Sequence, residues 1–132
     1  MIKGVAEAYA GIIDDPLFGP AICFGLGGVF VEILDDTVTE MAPLTHDGAL
    51  AMIQRIKGAP LLEGARGRDR ADVEALADLL VALGRFAIAN SGRFRSLDLN
   101  PIIVGKRGAV AVDIAIEPIV ADAADAIANA AE

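Results

Sequence analysis

The sequence predicts an α+β fold, with a mixed, mostly antiparallel sheet packed by two or three helices. Apolar and β-branched runs separated by turn signals follow one another directly in the first third of the chain. Helical periodicity is confined to the middle of the chain, and two more strand-like runs and an Ala-rich tail come after it. Strands and helices that are grouped in this way are typical of α+β proteins rather than of alternating βαβ units.

Four strands are predicted before the first helix, over residues 5–13, 21–24, 29–34 and 37–41. The turn signal Asp14-Asp15-Pro16 ends the first of them, and Asp35-Asp36 separates the third from the fourth. Two further strands are predicted over residues 96–104 and 109–116, joined by the turn Gly105-Lys106-Arg107-Gly108.

Two helices are predicted between these groups of strands. Thr45 is placed to cap the first, which ends at Lys57-Gly58, and a loop over residues 59–70 follows it. Asp72 is placed to cap the second, which ends near residues 90–92. The apolar stripe of the second helix consists of Val73, Leu76, Leu80, Leu83 and Ala87. The tail over residues 119–132 is predicted to be helical.

Length and composition favour one cytoplasmic domain that spans residues 1–132. The chain is 55% hydrophobic, yet it has no apolar run long enough to cross a bilayer. A formal net charge of -8 disfavours binding to nucleic acid or to an anionic membrane. The single cysteine, Cys23, has no partner for an internal disulfide, and we expect a buried, reduced thiol.

The last predicted hairpin carries the strongest candidates for chemistry. If Gly105 and Gly108 flank its turn, Asn100 lies opposite Asp113, and Asp98 shares their face of the sheet. Carboxylate and carboxamide oxygens of this kind suit Mg²⁺. Pro101 restricts Asn100 to an extended conformation and predicts a sheet edge or a bulge there. The same spacing also fits solvent-facing positions of an amphipathic hairpin.

The glycine cluster over residues 25–28 is a second candidate. It matches neither the dinucleotide-binding fingerprint nor a P-loop. Gly27 and Gly28 fit a backbone-lined concavity that a phosphate approaches, and they equally fit a tight turn or bulge. Glu32, on the strand predicted after them, is a candidate for the same site.

The loop before the second helix is a third candidate, because Arg66 and Arg68 on a glycine-bearing loop suit phosphate or carboxylate contact. The two arginines are equally consistent with surface positions whose positive charge only offsets the negative net charge of the chain. His46, the only histidine, is predicted to be an exposed residue at a helix start without a metal or nucleophile role. No residue is predicted to be catalytic.

Several motifs in order resemble the ATP-grasp region of NDP-forming acyl-CoA synthetases, which include ADP-forming acetyl-CoA synthetase and are related to succinyl-CoA synthetase β chains. The similarity covers nearly the whole chain. The motifs are Phe18-Gly19-Pro20, residues 24–32, Ala42-Pro43-Leu44, residues 60–67, residues 97–101 and residues 109–113.

The resemblance implies an ATP-grasp subdomain that binds ATP or ADP with Mg²⁺. Such enzymes interconvert acyl-CoA, ADP and phosphate with the free acid, CoA and ATP through phosphohistidine. Carried over, the magnesium ligands are Asn100 and Asp113, and Asp98 on the same face of the hairpin is the third predicted metal residue. Nucleotide contacts are expected from Gly27, Gly28, Glu32 and Arg66.

The resemblance covers only the C-terminal portion of an ATP-grasp module. The partners implied are therefore the missing N-terminal half and a CoA-binding domain or subunit, which would also supply the phosphohistidine. We expect the isolated chain to be inactive. Two other hypotheses stay open: a regulatory or assembly module, as in some acetyl-CoA-dependent lysine acetyltransferases, and a domain that self-associates into a homo-oligomer.

Overall fold

The computed structural model of the chain describes residues 4–27, 36–67 and 69–119, and in these ranges six strands form one sheet. Their bounds are β1 Ala6–Asp15, β2 Gly19–Leu26, β3 Thr37–Met41, β4 Phe94–Val104, β5 Ala109–Ala111 and β6 Ile114–Pro118. The strand order is β3-β2-β1-β4-β5, and β6 pairs with β4 farther along that strand. All pairings between the described strands are antiparallel, which confirms the predicted α+β class.

A tight turn joins β1 to β2 at the position of the predicted turn signal. The side chain of Asp15 accepts hydrogen bonds from the amides of Leu17 (2.7 Å) and Phe18 (3.0 Å). Gly19 follows with φ of 88°, a conformation that suits glycine because it has no Cβ. The turn brings β2 back along β1 in register, with Asp15 opposite Gly19 and Ile12 opposite Ile22.

Helices α1 (His46–Gln54) and α3 (Val73–Ala89) are capped as the sequence predicts. The Thr45 hydroxyl accepts from the Gly48 amide at 2.9 Å, and the Asp72 carboxylate accepts from the Ala75 amide at 3.0 Å. Both helices bury an apolar stripe in the core that the sheet also lines. The core members from α3 are Leu76, Ala77, Leu80, Leu83 and Ala87.

Alternation along the strands turns one face of the sheet to the core, and no described helix covers the other face. On β1, Ala8, Ala10 and Ile12 are buried in the core, whereas Ile13 is 55% exposed. We call the side of the sheet that faces away from the helices the open face. It carries the odd-numbered residues of β1, from Tyr9 to Ile13.

The structure differs from the sequence prediction in two connecting regions. The predicted loop over residues 59–70 contains a short helix, α2 (Ala59–Leu62), and a 3-10 turn (Ala65–Gly67). Pro60 lies in the first turn of α2, where its missing N–H costs nothing. The last predicted strand is divided into β5 and β6, with Val112 and Asp113 between them.

Two predicted elements lie outside the described residues: the strand over residues 29–34 and all but the first residue of the Ala-rich tail. Within the ranges that are described, no helix combines the length and apolarity needed to cross a membrane.

Candidate metal centre

The β4 hairpin has the register that its turn glycines predict. Val104 pairs with Ala109 and Ile102 with Ala111, and the same register continues through Leu99 and Ile114. Asn100 therefore lies opposite Asp113, and the Asn100 amide donates a hydrogen bond to the Asp113 carbonyl oxygen at 3.2 Å. A short, glycine-flanked turn determines this pairing, because antiparallel neighbours are counted outward from it.

Asp98 and Asn100 point to the open face. Each is exposed, and the residues that alternate with them, Leu97 and Leu99, are buried in the core. Asp113 is also exposed, and its Oδ1 accepts a hydrogen bond from the Ile114 amide at 2.9 Å. The Ile114 amide thus fixes the orientation of one Asp113 carboxylate oxygen.

β4 contains a bulge at Asn100 and Pro101. From Leu97 on, odd-numbered residues face the core before the bulge, and even-numbered residues face the core after it. The β1–β4 register shifts there, because Ala8 pairs with Ile102 and Ala10 pairs with Leu99. Two residues of β4 are consequently opposite the single residue Tyr9. The prediction of a sheet edge or bulge at Asn100 is correct, and the physical reason is the missing N–H of proline. The Asn100–Pro101 peptide bond is cis.

The middle of the open face lies beside Asp98. Gly11 of β1 pairs with Asp98 on one side and with Cys23 of β2 on the other. Cys23 is half-buried rather than buried. Burial raises the pKa of its thiol, and the charge of Asp98 raises it further. The thiol is therefore a neutral, unreactive neighbour of the acid.

Tyr9 is a site neighbour that the sequence analysis does not single out. Its main chain lies opposite Asn100 and Pro101 at the bulge, and its hydroxyl forms a hydrogen bond with the Thr37 hydroxyl across β2. Its ring lies against Gly25, the residue with which it pairs. The alternation of Tyr9 and Gly11 with the core residues of β1 is a signal that could have placed them on the site face.

In the described ranges, the main chain of the other candidate residues does not lie beside Asn100 and Asp113. The Gly27 amide donates to the Glu7 carbonyl oxygen at 2.8 Å, so it extends the β1–β2 ladder. Gly28, Glu32 and Arg68 lie outside the described residues. The main chain of Arg66 lies in the 3-10 turn.

That 3-10 turn lies at the far end of the hairpin from Asn100. A cleft of about 290 Å³ is lined by Gly4, Val5, Gly67 and Asp69. Val5 bonds to Val104, the last residue of β4. Asn100 is four residues before Val104, so about 13 Å of extended chain separates them.

His46 is exposed on the helix layer, as predicted, and not on the open face. Its Nε2 lies 2.7 Å from Glu74 Oε2, and its Nδ1 lies 3.3 Å from Asp78 Oδ1. The hydrogen bond to Glu74 raises the pKa of His46, and the charges of Glu74, Asp78 and Asp47 add to this effect.

Residues 1–117 match the family model of the ATP-grasp domain. The chain belongs to the ATP-grasp family. Among curated proteins it is 48% identical over 107 residues to the beta subunit of acetate–CoA ligase (ADP-forming) I of Pyrococcus furiosus. It is 43% identical over 118 residues to the beta subunit of isoenzyme II from the same organism.

These matches cover 81% and 88% of this chain but only 46% and 50% of the two relatives. The chain therefore spans about half the length of the curated relatives it matches. A solved structure of acetyl-coenzyme A synthetase 1 from Ca. Korarchaeum cryptofilum, in complex with coenzyme A and Mg-AMPPCP, has a TM-score of 0.82 and 40% identity. That match covers 89% of this chain and 55% of the solved one.

The oxygen donors of this ATP-grasp hairpin fit a magnesium ion. Among the described residues, no three His, Cys, Asp or Glu side chains gather into a ready-made metal cluster. Mg²⁺ in nucleotide sites does not need one, because it keeps several waters and takes one or two protein oxygens plus phosphate oxygens. The Asn100 carboxamide and the Asp113 carboxylate, opposite each other and exposed, are a donor pair of that size.

Proposed function

We propose that this chain is the Mg-nucleotide-binding part of an ADP-forming acyl-CoA synthetase. The overall reaction is acid + CoA + ATP = acyl-CoA + ADP + phosphate, with the phosphoryl group carried on histidine. The observation that carries the proposal is the position of Asn100 opposite Asp113 on the open face. The similarity to beta subunits of ADP-forming acetate–CoA ligases supports it.

In this proposal Asn100 and Asp113 hold the magnesium ion of the nucleotide, and Asp98 adds negative charge beside them. The bound ion supplies charge neutralisation to the phosphates during transfer. The bulge at Pro101 holds the Asn100 side chain toward the open face, and the Ile114 amide orients the Asp113 carboxylate. The residues of the chain therefore bind and orient. Gly27, Gly28, Glu32 and Arg66 are proposed nucleotide contacts on sequence grounds.

The proposed partners are an N-terminal ATP-grasp half and a CoA-binding domain or subunit. The chain spans about half of its relatives, and the solved homologue binds coenzyme A as well as Mg-AMPPCP. Phosphoryl transfer depends on groups that surround the phosphates from several sides. We infer that this chain supplies one of those sides as the C-terminal portion of the module.

Two substitutions test the proposed metal pair. We expect Asn100→Ala and Asp113→Ala each to weaken magnesium-dependent ADP binding about tenfold or more, as is usual when metal-site residues are removed. NMR with Mn²⁺ and ADP detects even weak binding, because paramagnetic broadening is strongest at residues next to the ion. In the wild type the broadening should be centred on Asn100 and Asp113.

Glu117→Gln is the matched control. Glu117 is an exposed acid of β6 that pairs with Ser96, so the substitution removes one negative charge from the same hairpin at a distance from Asn100. It should leave the broadening at Asn100 in place. Equal broadening in the wild type and both alanine variants, or broadening centred elsewhere, contradicts the proposal.

A further inference from the structure

We propose that Gly11 is a positioning residue, whose missing side chain lets the Asp98 carboxylate lie across β1 at a defined place beside the metal pair. The inference rests on the proposed function, since it concerns the acid that borders the same site. It assigns a role to a residue on the central strand that has no side chain of its own.

Other atoms already fill the space above Gly11. A Cβ at this position would lie 2.7 Å from Asp98 Oδ1, 3.0 Å from the Leu97 carbonyl oxygen and 3.3 Å from Cys23 Sγ. Contacts below 3.0 Å are essentially never made by real Cβ atoms. Asp98 Oδ1 therefore occupies the place that any side chain at position 11 would take.

The backbone conformation of Gly11 does not itself require glycine. The glycines with positive φ in the described residues include Gly19 and Gly92, and Gly11 is not among them. Glycine inside a strand weakens the strand, because it packs nothing and loses more entropy on folding. A strand glycine with ordinary backbone geometry indicates that another group approaches closely. Here that group is the Asp98 carboxylate.

The space over Gly11 also determines where the charge of Asp98 lies in the site. Asp98 leans over β1, on one side of β4, whereas Asp113 lies beyond β4 on the β5 and β6 side. Asn100 is between them. Like charges repel, so this separation lowers the electrostatic repulsion between the two acids beside the proposed cation. Without the space over Gly11, Asp98 must take another rotamer, and its charge moves relative to Asn100.

The direct test is the side-chain torsion χ1 of Asp98 in the full chain, measured by three-bond NMR couplings in the wild type and in Gly11→Ala. This readout needs no ligand. We expect a single rotamer in the wild type and a different rotamer, or a mixture, in the variant. An unchanged χ1 overturns the inference and leaves the proposed function untouched.

The functional test is a double-mutant cycle on magnesium-dependent ADP binding. Gly11→Ala should weaken binding about tenfold, in the range usual for residues that orient metal-site groups. In the Asp98→Ala background it should have no further effect, because there is no carboxylate left to displace. Equal losses in both backgrounds would show that Gly11 acts on the sheet in general, which overturns the positioning role.

Two further variants separate folding from positioning. Cys23→Ala changes the other side chain over Gly11 and should leave χ1 of Asp98 and ADP binding unchanged. If Gly11→Ala fails to fold, folding should be restored in the double variant Gly11→Ala/Asp98→Ala. A double variant that also fails to fold means that the Leu97 carbonyl contact dominates, and this too overturns the inference.

Discussion

A single side chain, Asp72, connects the helix layer to the hairpin that carries the candidate metal pair. Its Oδ1 accepts from the Ala75 amide of α3 at 3.0 Å, and its Oδ2 accepts from the Gly108 amide at 2.7 Å. Its own amide donates to the Gly105 carbonyl oxygen at 2.8 Å. Asp72 therefore caps α3 and also links the start of this helix to the β4–β5 turn by hydrogen bonds.

Asp72→Ala should lower the free energy of unfolding by about 1 kcal/mol, the usual cost of losing a capping side chain. Urea denaturation followed by circular dichroism measures the change. Asp69→Ala is the control, because Asp69 is exposed and its ion pair with Lys106, at 3.4 Å, lies on the surface. Equal losses of unfolding free energy in the two variants would argue against a stabilising role of the Asp72 hydrogen bonds.

The same hydrogen bonds of Asp72 predict that the stability of the protein depends on pH. Hydrogen bonds from Gly108 and then Ala75 hold the pKa of Asp72 below its ordinary value of 3.8. Its contribution to stability is therefore complete above that value and is lost as the pH falls through the lowered folded-state pKa. In Asp72→Asn, Tm should therefore fall less than in the wild type as the pH is lowered from about 5 to about 2. An equal fall of Tm in the two proteins would contradict this role of Asp72.

At the scale of elements, α1 and α3 meet through His46. Both ring nitrogens face carboxylates, those of Glu74 and Asp78, and only the protonated imidazolium can donate to both. Asp47, in the first turn of α1, adds a third negative charge nearby. The contact is exposed, so it serves as a surface link between the helices and not as a core interaction.

His46→Gln should make stability less dependent on pH near neutrality. Because the carboxylates raise the pKa of His46 above its ordinary value of 6.5, its stabilising effect is complete below that value. It is lost as the pH rises through the raised folded-state pKa. We expect Tm of the wild type to fall more than that of the variant between about pH 6 and pH 8. Parallel Tm profiles would refute this link.

At the scale of the whole molecule, one core joins the sheet to both long helices. Its members come from β1, β2, β4 and each of the three described helices, and they include Ile12, Phe24, Met52, Leu62 and Leu80. A core shared by so many elements predicts a cooperative, two-state unfolding transition.

Leu80→Ala, in the middle of α3, should cost about 2–5 kcal/mol, because the side chain is fully buried and leaves a cavity. Ile88→Ala, on the same helix at a site that is 48% exposed, is the control and should cost much less. Denaturation followed by circular dichroism and by tyrosine fluorescence should give coincident curves. A small loss for Leu80→Ala would mean that α3 does not pack on the sheet as described.

In the proposed function, the open face forms one side of the nucleotide site. The sheet presents Asp98 and Asn100 on a side that no described helix covers, and the chain spans about half of its relatives. The proposed function therefore predicts that catalysis needs further groups on other sides of the phosphates, from the proposed N-terminal half and the proposed CoA-binding domain.

The sequence by itself determined the features that depend on neighbours along the chain. Thr45 and Asp72 could be identified as caps because a capping side chain bonds to amides three residues away. The pairing of Asn100 with Asp113 followed from the turn at Gly105 and Gly108, since a short hairpin sets its own register. The family resemblance depended on the same local motifs.

Only the tertiary structure decided what surrounds the candidate metal pair. Gly11 and Cys23 lie beside Asp98 because β1 pairs with β4 and β2, which are brought together from distant parts of the chain. The second bond of Asp72, to Gly108, crosses 36 residues for the same reason. The physical reason is that strand pairing over long distances is selected by the packing of the whole core, and no local pattern in the sequence encodes it.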